Sequence, residues 1–381
     1  MRKTTSPGIG STPASVLLVL AALLLSAGAQ ADPAGITHRA TRLPAASERR
    51  GDHQPRLDMT VWYPAVEGAK ARQVDVGPPG EALLVGGRFA VDAAPAPGRH
   101  PVILLSPGFG GGAEDLSWLG GGLAAHGFVV IGVDHPGNNP RDRTPAGGTA
   151  WWERPRDLIA AIRAIAGDPV LGPHLEMERV GAAGFSMGGM TALALGGAII
   201  APGHFDDFCA TRPVDKVCDT APETPDAPHV TQRAGIRLLG LDQAAAHASD
   251  GTSLPGLRAI LAIAPPVQML DPDSLKRIAV PTTLLVGDLD LFVPARDEVD
   301  VAARLVEGAR RVIVPGAAHY SFVGKCTPAG RRILGLCSMA PAQAHAHAVA
   351  LAEALALFDG TLRESAPSRR APEPSRQKEE R

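Results

Sequence analysis

Long apolar runs are scarce in these 381 residues, and the first is short. Val16 to Leu25 is unbroken for ten residues, about half of the roughly 20 that a membrane-spanning helix needs. Arg2 and Lys3 precede it, and Ala29-Gln30-Ala31 follows it with the small-residue pattern that signal peptidase cuts. Residues 1–31 therefore read as a signal peptide, with the mature chain starting near Asp32. No cysteine stands near that cut, so a lipoprotein anchor has no attachment point. A secreted or periplasmic protein is expected, with no stable membrane insertion after cleavage.

An excess of charge of one sign is also missing. Lys and Arg number 37 against 39 Asp and Glu, for a formal net charge of -2, and no basic stripe or block interrupts the mixture. That balance argues against nucleic acid as a partner. Cysteines are few, four in all, and fall into two local pairs: Cys209 with Cys218, and Cys326 with Cys337. Neither pair has the C-x2-4-C spacing of a zinc site, so no metal is expected. In an exported chain the even count points to disulfides, and local pairing closes the smallest loops. Phosphate-loop motifs are absent from the glycine-rich stretch after Leu105, and no internal repeat is visible.

What is present is an alternation of apolar, β-branched runs with Ala- and Leu-rich helical stretches, the pattern of a mainly parallel sheet covered by helices. Strands are predicted over Leu57–Tyr63, Val102–Leu105, Phe128–Val133, Val180–Phe185, Leu257–Ala264, Thr282–Val286 and Arg311–Val314. Helices are predicted over Pro155–Ala166, Gly189–Ile199 and Ala342–Phe358. Ala201 to Ser253 breaks this rhythm with several prolines, one cysteine pair and a weakly helical part over Arg237–Ala248. It reads as a cap inserted into one domain spanning residues 32–363. Residues 364–381 are rich in Pro, Ser and charge and read as a disordered tail.

Gly184-Phe185-Ser186-Met187-Gly188 matches G-x-S-x-G between a predicted strand and a predicted helix. A turn that tight leaves no room for side chains two residues either side of the serine, and glycine meets that need. The new helix points its free N–H groups at the site, where they favour a developing anion. Serine needs a base to take its proton. Among twelve histidines, His319 is selected by its place in a small-residue loop just after the last strand. His345 and His347 read as surface residues of a helix, His126 as a helix-end residue, and His135 as a pocket-lining candidate. The base in turn needs an acid, and the loop after Val286 offers Asp288 and Asp290. An acid further from the strand end can reach sideways to the histidine, which favours Asp290. The chain order Ser, Asp, His is that of α/β-hydrolases. Two N–H groups should receive the oxyanion, that of Met187 and that of Phe109 in the loop Ser106–Gly112.

The runs DMTVWYP (Asp58–Pro64), LSPGFGG (Leu105–Gly111), LAAHGFVVIGVDHPGN (Leu123–Asn138), GFSMGG (Gly184–Gly189) and GDLDLFVP (Gly287–Pro294) together resemble bacterial "predicted dienelactone hydrolase" proteins related to platelet-activating-factor acetylhydrolases. The loop Ser106–Phe109 and the run HGFVVI (His126–Ile131) also resemble bacterial cutinases and polyester hydrolases. The resemblance spans roughly Leu57 to Phe358. It implies an α/β-hydrolase fold, ester hydrolysis without a cofactor, a triad of Ser186, Asp290 and His319, and an oxyanion hole of Phe109 and Met187. Its G-x-x-D pattern also favours Asp290 over Asp288. Eukaryotic acetylhydrolases take the acid from the strand after the nucleophile helix. Here that strand ends in Ala264-Pro265-Pro266, so the acid is expected from the next. The expected function is serine-dependent acyl transfer on a small-molecule or lipid ester. The alternatives are a polyester or cutin hydrolase, which a cap would disfavour, and a non-catalytic envelope binding protein.

Overall fold

The computed structural model describes residues 33–212, 216–219, 230–248, 250 and 252–363. The signal peptide and tail predicted from sequence lie outside the described residues.

Among the described residues eleven strands form one sheet: β1 (Ala34–Arg42), β2 (Arg56–Pro64), β3 (Arg72–Val76), β4 (Leu84–Val91), β5 (His100–Ser106), β6 (Val129–Asp134), β7 (Leu175–Phe185), β8 (Leu257–Ile263), β9 (Thr282–Gly287), β10 (Arg310–Val314) and β11 (Lys325–Cys326). Their spatial order is β10-β9-β8-β7-β5-β6-β2-β1-β4-β11, with β3 beside β4. The stretch from β6 to β10 is all parallel. β2 then pairs antiparallel to β6, and β1 antiparallel to β2. The parallel strands are buried on both faces, which is why they read as continuous apolar runs. Val102, Ile103, Leu104 and Leu105 are all fully buried. Each such side chain contributes about 1.5–3 kcal/mol by leaving water.

Helices that flank the sheet include α1 (Ser117–Ala124), α2 (Glu153–Ala166), α3 (Met187–Leu195), α7 (Val299–Leu305) and α8 (Gln343–Leu362); between α3 and β8 come α4 (Pro202–Thr211), α5 (Gln232–Leu238) and α6 (Asp242–Ala246). Strand alternation assigns the faces. The Cα of Gly181 faces Phe358 of α8, while Ile260, register partner of the adjacent Ala182, faces Gly196 at the end of α3. The long C-terminal helix and the helix after Ser186 therefore cover opposite faces.

The 201–253 segment is anchored at both ends. Ala201 N–H donates to the Met269 carbonyl, and Leu254 N–H to that of Leu195. Its predicted helix over 237–248 is in fact two short ones, α5 and α6. Gly240 separates them with φ +65°, a conformation that stops a right-handed helix. Ile236 and Ala248 pack with Ala150 and Trp152 in a small cluster separate from the main core. Both cysteine pairs are disulfides, Cys209–Cys218 and Cys326–Cys337.

Candidate active site

β7 runs directly into Ser186, whose backbone sits at φ 55° and ψ -123°. A non-glycine residue there is strained by about 1–3 kcal/mol and persists only where its surroundings hold it. They do: Ser186 N–H donates to the Ile263 carbonyl of β8, and Ser186's own carbonyl accepts from Gly189 and Met190. The flanking glycines are forced by close approach. A Cβ on Gly184 would lie 2.1 Å from the Gly188 carbonyl oxygen, and one on Gly188 would lie 1.9 Å from that of Ser106.

His319 opens a 3₁₀ turn, His319–Phe322, after β10. Its Nε2 is 3.0 Å from Ser186 Oγ, and its Nδ1 is 2.8 Å from Asp290 Oδ2. In this geometry Nδ1–H donates to the carboxylate, which leaves Nε2 as acceptor for the serine hydroxyl. Phe185 and Phe292 pack against the imidazole, holding the ring while keeping water from most of it. Asp290 is 4% exposed, and its other oxygen accepts from the N–H groups of Phe292 and Val293 at 3.0 and 2.8 Å. Asp288 lies elsewhere in the loop. Its Oδ1 accepts from Gly316 N–H at 2.6 Å, so it braces the loop that carries His319.

Met187 is the first residue of α3, so its N–H has no partner within the helix. Phe109 lies opposite, in the loop after β5. Among the described residues neither N–H has a protein acceptor. Phe109, Ser186, Met187 and His319 all line one cavity of about 620 Å³. Phe205, Gln232 and Leu238 of the 201–253 segment line the same cavity.

Two histidine expectations are corrected. His135 does not line the pocket: it is 1% exposed, with Nε2 at 2.9 Å from Ser106 Oγ and Nδ1 at 2.9 Å from Asp157. Burial drives its pKa down to about 3. His347 is not a surface residue. Its ring stacks on Trp118 at 4.0 Å, its Nε2 donates to the Val323 carbonyl, and burial lowers its pKa to about 4. Sequence reasoning also missed Arg154 and Asn138, which are buried behind the Phe109 loop. No local motif marks Arg154, and the run that ends at Asn138 gives that residue no role, because the partners of both lie in other segments.

Comparison with known proteins agrees in fold and in the kind of relative found. Residues 86–201 match a family described as PET hydrolase-like. A bis(hydroxyethyl) terephthalate hydrolase of Streptomyces coelicolor is 30% identical over 104 residues, 27% of this chain and 31% of that protein. The cutinase est2 of Thermobifida alba is 34% identical over 98 residues, 25% of this chain and 30% of that one. The chain thus spans only about a third of the length of the curated relatives it matches. A ferulic acid esterase structure from Streptomyces cinnamoneus superposes over 91% of this chain and 96% of that one, with a TM-score of 0.57 at 20% identity. The resemblance to cutinases and polyester hydrolases is the part of the sequence reading that these relatives support. Together with the sheet order and the strand-turn-helix at Ser186, the superposition identifies the fold as that of an α/β-hydrolase.

Proposed function

We propose that the protein hydrolyses carboxylic esters through an acyl-enzyme on Ser186. The observation that carries this is the continuous chain Ser186 Oγ–His319–Asp290 at the wall of an apolar cavity. Ser186 attacks the ester carbonyl as His319 Nε2 takes its proton, and the N–H groups of Phe109 and Met187 receive the oxyanion. His319 then protonates the departing alcohol, and water, deprotonated by the same imidazole, releases the acid. Asp290 holds the imidazole tautomer and balances its charge. The 201–253 segment acts as a cap, so the preferred ester is compact and apolar. Export to an oxidising compartment belongs to the same reading, supported by the two disulfides.

A second reading, hydrolysis of aromatic polyester or cutin fragments, is favoured by the terephthalate-ester hydrolase and cutinase relatives. A panel of p-nitrophenyl esters of rising chain length, run beside bis(hydroxyethyl) terephthalate and polymer film, separates the two. Labelling with a fluorophosphonate should mark Ser186 and no other residue. Ser186→Ala should fold normally, escape labelling and lose nearly all activity; retention of more than a few per cent of the rate would refute the assignment.

A further inference from the structure

Arg154, on α2, is 3% exposed, and its guanidinium sits behind the Phe109 loop, where every bond it makes among the described residues goes to a neutral group. Nη2 donates to the Pro107 carbonyl at 2.6 Å, and lies 3.4 Å from Ser106 Oγ. Nη1 donates to Asn138 Oδ1 at 2.9 Å, and the same oxygen accepts from Gly110 N–H at 3.2 Å. Nε donates to Thr191 Oγ1 at 3.1 Å, while the Thr191 hydroxyl donates to the Met187 carbonyl at 2.7 Å. Phe109 is thus bracketed, two residues before and one after, by bonds that lead to one side chain. The third limb leads to Met187.

The charge is as notable as the fork. Asp157, the acid whose charge acts on Arg154, is already held bidentate by Arg49 at 2.7 and 2.9 Å, and it accepts from His135 as well. With Arg49 and Asp157 cancelling and His135 neutral, one positive charge remains in this buried group. Burial pulls the Arg154 pKa down only to about 9, so it stays charged at neutral pH. A buried cation without a paired anion is costly. That cost is offset where negative charge develops nearby, and fixed charges beside a developing oxyanion act most strongly in a water-poor site.

We propose that Arg154 is the positioning residue of the oxyanion hole, locking the Phe109 and Met187 N–H groups into one geometry and adding a fixed positive field behind them. This inference rests on the esterase reading of Ser186. Nothing in it requires Arg154 to touch substrate. Its signature is a loss in turnover rather than in ground-state binding, because the oxyanion exists only after attack.

The test measures kcat and KM for p-nitrophenyl butyrate, and affinity for an alkyl boronic acid, in wild type, Arg154→Met, Arg154→Lys and Thr191→Val. Thermal unfolding of each variant establishes that it is folded. Arg154→Met should lose about 10²-fold in kcat, comparable to loss of one oxyanion donor, with KM changed less than about threefold. Boronate affinity should fall with kcat. Arg154→Lys should recover part of the loss, since it restores charge but not the three-way fork. Thr191→Val cuts only the limb to Met187 and should cost about three- to tenfold in kcat; it decides the matter should Arg154→Met not fold. Wild-type protein lacking Ser186-dependent hydrolysis would sink the esterase reading, and the clamp with it. Active wild type with a folded Arg154→Met or Thr191→Val that keeps kcat within twofold, or loses only in KM, would overturn the clamp alone.

Discussion

Asp288 and Asp290 share one loop, yet the structure gives them different partners. Asp290 is buried against His319 and held by two backbone N–H groups, whereas Asp288 is exposed and ties down Gly316. Asn at position 290 keeps the shape but cannot balance an imidazolium, and it can present its NH₂ to Nδ1 and so invert the tautomer. Asp290→Asn should therefore lose at least about 10²-fold in kcat, against about 10⁴ for the equivalent change in a serine protease. Asp288→Asn retains the oxygen that accepts from Gly316 and should lose less than about tenfold. Steady-state kinetics on a soluble ester ranks them, and the reverse order would move the acid role to Asp288. The tight turn at Ser186 is legible in the sequence because its geometry demands a local pattern: two glycines with no room for a Cβ. His319 and Asp290 are legible because each follows a strand end in a parallel sheet. Arg154 is not, since its partners lie at positions 106, 107, 138 and 191 and only folding assembles them. His347 misled for a related reason: sequence gives its helix but not Trp118, which covers it.

Among the elements, the parallel strands are readable because both faces are buried, so their residues are almost uniformly apolar. β1, β3 and β4 escape that reading. β1 reads AGITHRATR, buried over its first four residues and alternating in exposure after them, and β3 is mostly exposed. The 201–253 segment is readable as an interruption but not as a structure, because its helices are short and pack on a cluster of their own. The Cys209–Cys218 bridge is its one covalent brace, and both cysteines border the cavity. Closing a nine-residue loop is worth roughly 2–3 kcal/mol in the chain-entropy model. That constraint should act on the segment rather than on the sheet. Replacing both cysteines by serine should raise KM for a hexanoate or octanoate ester about fivefold or more, leave kcat for acetate within about threefold, and leave sheet amides protected from hydrogen exchange. Deprotection of β5 and β7 amides in the variant would show that the bridge stabilises the whole fold instead.

At the scale of the whole molecule, several buried acids set how stability depends on pH. Glu298 is fully buried; its Oε2 accepts from Gln268 N–H, and its Oε1 has no partner among the described residues. Burial raises its pKa to about 8, and burial likewise raises that of Asp115 to about 7. In the unfolded chain both are ionised above pH 5.5 or so. Between there and pH 8 the native state therefore holds protons that the unfolded state has released, so stability falls as pH rises. His135 and His347 have the opposite sign, but their lowered values confine them to pH below about 6.5, where the unfolded histidine begins to protonate. From pH 6.5 upward the acids act without that opposition. Glu298 alone should remove about 2 kcal/mol between pH 6.5 and 8.5, at about 1.4 kcal/mol per pH unit until its own pKa is passed. For a chain of this size that is a fall in Tm of roughly 3 °C. Glu298→Gln keeps an oxygen for Gln268 and removes the titration, so its Tm should fall by at least a third less than wild type over that range. Calorimetry at pH 6.5 and 8.5 measures both slopes. Equal slopes in the two proteins would mean that Glu298 is ionised in the native state, and that the charge so close to Asp290 is tolerated by some other compensation.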